Sequence, residues 1–70
     1  MYVNVSNHAK QRFDERFGGW VYIPFDKIRR AARLMDKGDQ FRVSQPLATF
    51  VCKRTSRRNA LIVTVLFSLN

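Results

Sequence analysis

The stretch "SNHAKQRFDERFG" (residues 6–18) reads as a helix with a boundary signal at each end. Ser6 or Asn7 is a favoured N-cap, because its side-chain oxygen accepts a hydrogen bond from a free backbone N–H of the first turn. Gly18 suits the position after the last turn, where the backbone often becomes left-handed. Apolar residues recur every four positions between these ends and predict one buried face on a helix of about three turns: Ala9, Phe13 and Phe17.

A second helix is predicted further along the chain. Pro24 is favoured in a first helical turn, and Asp26 places a negative charge near the positive end of the helix dipole. We expect this helix to end at Gly38. Its inner face is marked by apolar residues at helical spacing: Ile28, Ala31, Ala32 and Met35.

The remaining segments alternate with a period of two, which is typical of β-strands. A short opening strand is predicted at "YVNV" (2–5), and further strands at "FRV" (41–43), "LATFVCK" (47–53) and "ALIVTVLFSL" (60–69). Helices followed by strands indicate an α+β fold. We therefore predict a single basic domain over residues 1–70, with two N-terminal helices packed on a three- to four-stranded antiparallel sheet.

The last predicted strand has two apolar faces. Thr64 is a polar residue within this apolar run, and a hydroxyl that is buried there needs a hydrogen-bond partner. Strict alternation assigns one face to Leu61, Val63, Val65, Phe67 and Leu69, and the other to Ala60, Ile62, Thr64, Leu66 and Ser68.

The charge balance points to an anionic partner. Thirteen Lys and Arg stand against five Asp and Glu, which gives a formal net charge of +8 in 70 residues. Nucleic acid is the first candidate, while an acidic protein, an anionic lipid or charge for solubility alone stay open. The segment "KRTSRR" (53–58) is suited to contact a phosphate backbone at a hairpin tip. Candidate nucleic-acid-binding residues are Arg54, Arg57, Arg58, Arg29 and Arg33.

Several classes of protein do not fit the composition. No apolar run approaches the roughly 20 residues that span a bilayer, and the N-terminus lacks the pattern of a secretory signal. One cysteine, Cys52, excludes an internal disulfide and fits a reducing cytosol, so a cytoplasmic location is expected. With one His and one Cys, a zinc site of the usual Cys/His kind is not available. We expect no metal, no cofactor and no membrane partner.

The chain's only histidine begins a stripe on the first helix. His8, Arg12 and Arg16 are spaced at i, i+4 and i+8, about one hundred degrees around the helix from the predicted buried face. This spacing places the stripe beside the core, where the neighbouring sheet would cover it. From spacing alone, the stripe either holds a phosphate, acts on one, or belongs to a solvated surface.

The order of these parts resembles a known family. The stretch "SNHAKQRFDERFG", a helix ending at Gly38 and strands ending in "LIVTVLF" resemble small domains of phages and of bacterial polymorphic toxins. That family is similar to a compact branch of the barnase, colicin and RelE-type ribonuclease superfamily. The resemblance implies helices packed on an antiparallel sheet and a site made of His8, Arg12, Arg16, Lys53 and Thr64.

The resemblance also implies that the protein binds RNA and cleaves it without a metal ion. In this reaction the 2′-OH oxygen of the RNA attacks the adjacent phosphorus. His8 would be the general base or acid, Arg12 and Arg16 the phosphate clamps, Lys53 a further cation and Thr64 an orienting donor. The superfamily also contains members without activity. The alternative is therefore a non-catalytic phage protein that binds host nucleic acid or inhibits a host enzyme. RNA is the favoured partner, an acidic host protein is the other, and the oligomeric state stays open.

Overall fold

A computed structural model describes residues 1–18 and 22–68 and has an α+β fold. Its elements follow in the order β1 (Tyr2–Val5), α1 (Asn7–Phe17), α2 (Phe25–Arg33), β2 (Gln40–Ser44), β3 (Ala48–Arg54) and β4 (Asn59–Phe67). The two predicted helices and the four strands are all present, so the α+β class is confirmed.

Helix α1 has the predicted caps. The Ser6 hydroxyl accepts a hydrogen bond from the Ala9 N–H at 2.9 Å. Gly18 follows the helix with φ of 68°, and its N–H donates to the Phe13 carbonyl. This left-handed conformation carries little cost for glycine, which has no Cβ. On the predicted inner face, Ala9 and Phe13 are buried, whereas Phe17 is half-buried and packs against the core.

Helix α2 is shorter than predicted, because it ends at Arg33 and not at Gly38. Past Arg33 the backbone tightens, with the N–H of residues 34 and 35 donating to carbonyls three positions back. The guanidinium of Arg54, on β3, donates to the carbonyl of Ala32 at 3.0 Å and to that of Met35 at 2.9 Å. These bonds replace those that further helical turns would form. Gly38, with φ of 92°, lies in the following turn.

The sheet is mixed, so the prediction of an antiparallel sheet is wrong for one pair of strands. The strand order is β1-β4-β3-β2, and β1 pairs with β4 in parallel, while the other pairs are antiparallel. Parallel neighbours require a crossover connection. Here the first and last strands are neighbours, and the helices lie in the connection between them.

A β-bulge in β4 overturns the predicted assignment of its two faces. Val51 pairs with Thr64, but the next residue of β3, Cys52, pairs with Ile62, so Val63 is an extra residue on β4. An extra residue shifts the alternation by one position. Below the bulge the helix-facing side chains are therefore Ala60 and Ile62, and above it they are Val65 and Phe67. Leu69 lies outside the described residues.

Both helices cover the same face of the sheet. The largest fully buried side chains between the two layers are Phe50, Ile28, Ile62, Val65 and Cys52. On β3, buried residues alternate with half-buried ones, so every second side chain points away from the helices. Within the described residues no helix covers that second face, which we call the outer face.

Candidate nucleic-acid interface

The outer face consists of rows of side chains that run across neighbouring strands. One row joins Asn4, Leu61, Lys53 and Gln40, each directly opposite the next. Neighbouring strands lie about 4.8 Å apart, so the side chains of such a row lie side by side on one surface. The remaining members of the outer face are Tyr2, Asn59, Thr64, Val51, Arg42, Leu66, Thr49 and Ser44.

Acidic side chains are absent from this surface among the described residues. The last 31 residues, 40–70, contain five cations and no Asp or Glu. All five acidic residues of the chain lie on α1, on α2 or in the turn between α2 and β2. The electrostatic potential is therefore divided between the layers, with mixed charges on the helices and uncompensated positive charge on the sheet.

The tip of the β3–β4 hairpin carries two of these five cations, Arg57 and Arg58. Both are exposed, and within the described part of the chain neither guanidinium forms a hydrogen bond or an ion pair. Their donors are therefore open to a phosphate, which arginine binds with two parallel hydrogen bonds.

Arg54 differs from its neighbours because its guanidinium is occupied. Besides its two bonds to the end of α2, it donates to the carbonyls of Ser56 at 3.2 Å and Arg57 at 2.7 Å. Four of its five N–H donors are thus used inside the chain. Sequence reasoning placed Arg54 among the nucleic-acid contacts, whereas its hydrogen bonds are those of a residue that joins the hairpin to α2.

The two candidate arginines of α2 lie on the helix layer. Arg29 pairs with Asp26 at 3.0 Å, donates to the Met1 carbonyl and stacks over the ring of Phe25. Arg33 is exposed at the end of the helix. The structure therefore separates both residues from the outer face.

The stripe on α1 follows an edge of β4. Strand β1 pairs only with Asn59–Ile62 of β4, so the carbonyls beyond the bulge need other partners. The Ser6 N–H donates to the Ile62 carbonyl, at the end of the paired segment, and the Ser6 hydroxyl donates to the Val63 carbonyl at the bulge. Further along β4, the Arg16 guanidinium donates to the carbonyl of Val65 at 2.9 Å. Arg16 is thus held at the rim of the sheet.

The other two members of the stripe are less enclosed. Arg12 forms an ion pair with Glu15 on the same helix. Hydrogen bonds from Arg12 and Gln11 hold the pKa of Glu15 below its ordinary value. His8 is exposed near the start of the helix, so the predicted covering by the sheet does not extend over it.

Thr64 and Lys53 lie on the outer face, on adjacent strands. Thr64 is opposite Val51, and Lys53 is two positions further along the same strand. Arg16 contacts the backbone of the residue next to Thr64, which brings the stripe to the border of this surface. Among the described residues, no hydrogen bond joins any two of the five predicted catalytic side chains.

Sequence reasoning missed two members of the outer face, Tyr2 and Arg42. Tyr2 is 72% exposed, and Arg42 is exposed on β2 between two buried residues. The signals were present in "YVNV" and "QFRVS", where residues that face the helices alternate with residues that do not, and in the absence of acidic residues after Asp39.

Neither a cluster of metal ligands nor a membrane-spanning helix is found among the described residues. In residues 1–18 and 22–68, no three His, Cys, Asp or Glu side chains are grouped as ligands for a metal ion. No described helix combines the length and apolar character needed to cross a bilayer. In comparisons with known proteins, no family model, no curated protein and no solved structure matches this chain.

Proposed function

We propose that this protein binds RNA through its outer face and the adjoining hairpin tip. The observation that carries the proposal is the distribution of charge, since the segment that builds β2, β3 and β4 has five cations and no acidic residue. An RNA backbone has one negative charge per nucleotide, and neutralising it releases bound counterions. Such a ligand matches a surface without acidic side chains.

The five cations of this segment fall into three groups, two of which contact the RNA. Arg57 and Arg58 at the tip bind phosphates with free guanidinium groups, while Lys53 and Arg42 contact the backbone as it crosses the sheet. Arg54 holds the tip against α2 and so keeps these cations in place. Because phosphates are common to all sequences, this binding is weakly selective.

Catalysis at the rim of the same surface is the second candidate function. The bond from Arg16 to the Val65 carbonyl supports it, because the α1 stripe then borders the face that carries Thr64 and Lys53. In this proposal His8 exchanges the proton of the attacking 2′-OH, Arg12 and Arg16 stabilise the charge on phosphorus, and Thr64 orients the phosphate. The fold would then be a compact form of the barnase, colicin and RelE-type ribonucleases, with a parallel β1 added at one edge.

Paired charge reversals test the RNA-binding proposal. The variant Arg57→Glu/Arg58→Glu reverses the tip, and the control Lys27→Glu/Lys37→Glu makes the same change in net charge on the helix side, where both lysines are exposed. Fluorescence anisotropy with labelled RNA gives Kd at several salt concentrations. We expect wild-type affinity to fall steeply with salt and the tip variant to lose much more affinity than the control. An affinity indifferent to salt, or equal losses in both variants, would contradict the proposal.

A further inference from the structure

We propose that the outer face takes RNA in single-stranded form and that one base stacks on Tyr2. This inference rests on the proposed RNA binding and adds the conformation of the ligand and a residue that contacts a base.

Tyr2 is an exposed aromatic residue fixed beside the basic tip. The residue is 72% exposed, and its backbone N–H donates to the Arg58 carbonyl at 2.8 Å. The backbone of Tyr2 thus adjoins the hairpin tip, so a strand of RNA whose phosphates bind the tip passes close to an exposed aromatic residue. Stacking of bases on such side chains is a common mode of binding to single strands, because every base has a flat π-face.

The surroundings of Tyr2 also suit a nucleobase. Tyr2 lies opposite Asn59, whose Oδ1 is 3.5 Å from the Nδ2 of Asn4. Both amides are on the outer face. The Asn59 Nδ2 also donates to the Ser56 Oγ at 2.9 Å, and the donors and acceptors that these bonds leave over can bond the edge of a base. Leu61, opposite Asn4 and half-buried, extends the platform with an apolar side chain.

The shape of the surface favours a single strand over a duplex. In an A-form duplex the bases stack on one another, and the deep, narrow major groove is closed to side chains. Bases that are already stacked and paired cannot stack on Tyr2, so this face offers a duplex chiefly its cations. A single strand can use the cations, Tyr2 and the two amides together, so its affinity gains a component that does not depend on salt.

The experiment compares two RNA forms and three variants. The probes are an unstructured single strand of roughly 12 nucleotides and a duplex of the same length. The variants are Tyr2→Ala, Tyr2→Phe and the control Tyr22→Ala, which removes a tyrosine of similar exposure, 67%, beside Lys27 and Arg30 of α2. Kd is measured over a salt series, and thermal unfolding checks that each variant is folded.

We expect the wild-type protein to prefer the single strand. Tyr2→Ala should weaken single-strand binding about 5- to 100-fold, the range for loss of one stacked base, without changing the slope of log Kd against log salt. Tyr2→Phe and Tyr22→Ala should bind like wild type, and duplex binding should not respond to Tyr2→Ala.

Two results would overturn the inference in distinguishable ways. Equal binding of duplex and single strand, with Tyr2→Ala unchanged and Arg57→Glu/Arg58→Glu strongly impaired, would refute base stacking and leave RNA binding by the cations intact. A wild-type protein that binds neither RNA form would refute both the inference and the proposed function.

Discussion

Arg54 and Met35 are joined by a hydrogen bond of 2.9 Å from the guanidinium Nη1 to the carbonyl oxygen, and this bond connects a strand to the turn that follows α2. The same guanidinium reaches the Ala32 carbonyl and two carbonyls of the hairpin. One side chain therefore fixes the end of a helix and the start of a turn.

Replacing Arg54 with alanine should destabilise the fold by about 3 kcal/mol, because half-buried carbonyls lose a charged donor. Arg54→Lys should recover only part of the loss, since an ammonium group lacks the planar fork that reaches several carbonyls. Urea unfolding measures the free energy. The exposed Arg57→Ala should change it by less than about 0.5 kcal/mol, and an equal effect of the two alanine variants would contradict the assigned role of Arg54.

Phe13 is the large side chain that α1 buries, with 9% of its surface exposed. We expect Phe13→Ala to lower the free energy of unfolding by about 3 to 5 kcal/mol, which in so small a domain is most of the stability. Thermal unfolding followed by circular dichroism should register this as a large drop in Tm. The exposed Leu34→Ala, at 84% exposure, is the matched control. An unchanged Tm for Phe13→Ala would mean that α1 packs through another face.

Cys52 makes stability depend on pH in the alkaline range. It is fully buried, and loss of hydration raises the pKa of its thiol from 9.0 to about 12. Above pH 9 the unfolded chain releases this proton while the folded chain keeps it, so stability falls as pH rises from about 9 to 12. Urea unfolding under reducing conditions should show a loss of about 1 kcal/mol by pH 10 relative to Cys52→Ala. Parallel pH profiles for the two proteins would refute this prediction.

Substitution of His8 distinguishes a protein that cleaves RNA from one that only binds it. If the α1 stripe is catalytic, His8→Ala should reduce RNA cleavage at least about a hundredfold and leave Kd for RNA almost unchanged. Arg12→Ala and Arg16→Ala should impair both cleavage and binding, because they hold the phosphate in the ground state and the transition state.

The measurement for His8 is the yield of 2′,3′-cyclic phosphate ends from labelled RNA, with the exposed Lys10→Ala of the same helix as the control. Wild-type protein that leaves varied RNA substrates uncut, including RNA on ribosomes, would eliminate the ribonuclease candidate. RNA binding by the outer face would stand without it.

Helix α1 could be predicted almost to the residue, because its signals are local. The Ser6 cap, the left-handed Gly18 and the four-residue spacing of Ala9 and Phe13 all act within about three turns of chain. The α+β class could be predicted for the same reason, since the period of apolar residues depends on the geometry of each element alone.

The candidate site could be predicted only in part. The stripe of His8, Arg12 and Arg16 follows from helical spacing, but its position at an edge of β4 depends on the Arg16–Val65 bond between residues 49 positions apart. No local pattern predicts that the first strand lies beside the last, which brings the backbone of Tyr2 next to that of Arg58.

Sequence by itself determined the elements of this protein and the charge of its two layers, because caps, periodicity and the lack of acidic residues after Asp39 are properties of short segments. Tertiary structure alone decided where α2 ends, which direction β1 takes and which face Thr64 occupies. Each of these depends on atoms brought together from distant parts of the chain: the Arg54 guanidinium at the end of α2, the crossover that makes β1 parallel to β4, and the bulge at Val63 that reverses the alternation of β4.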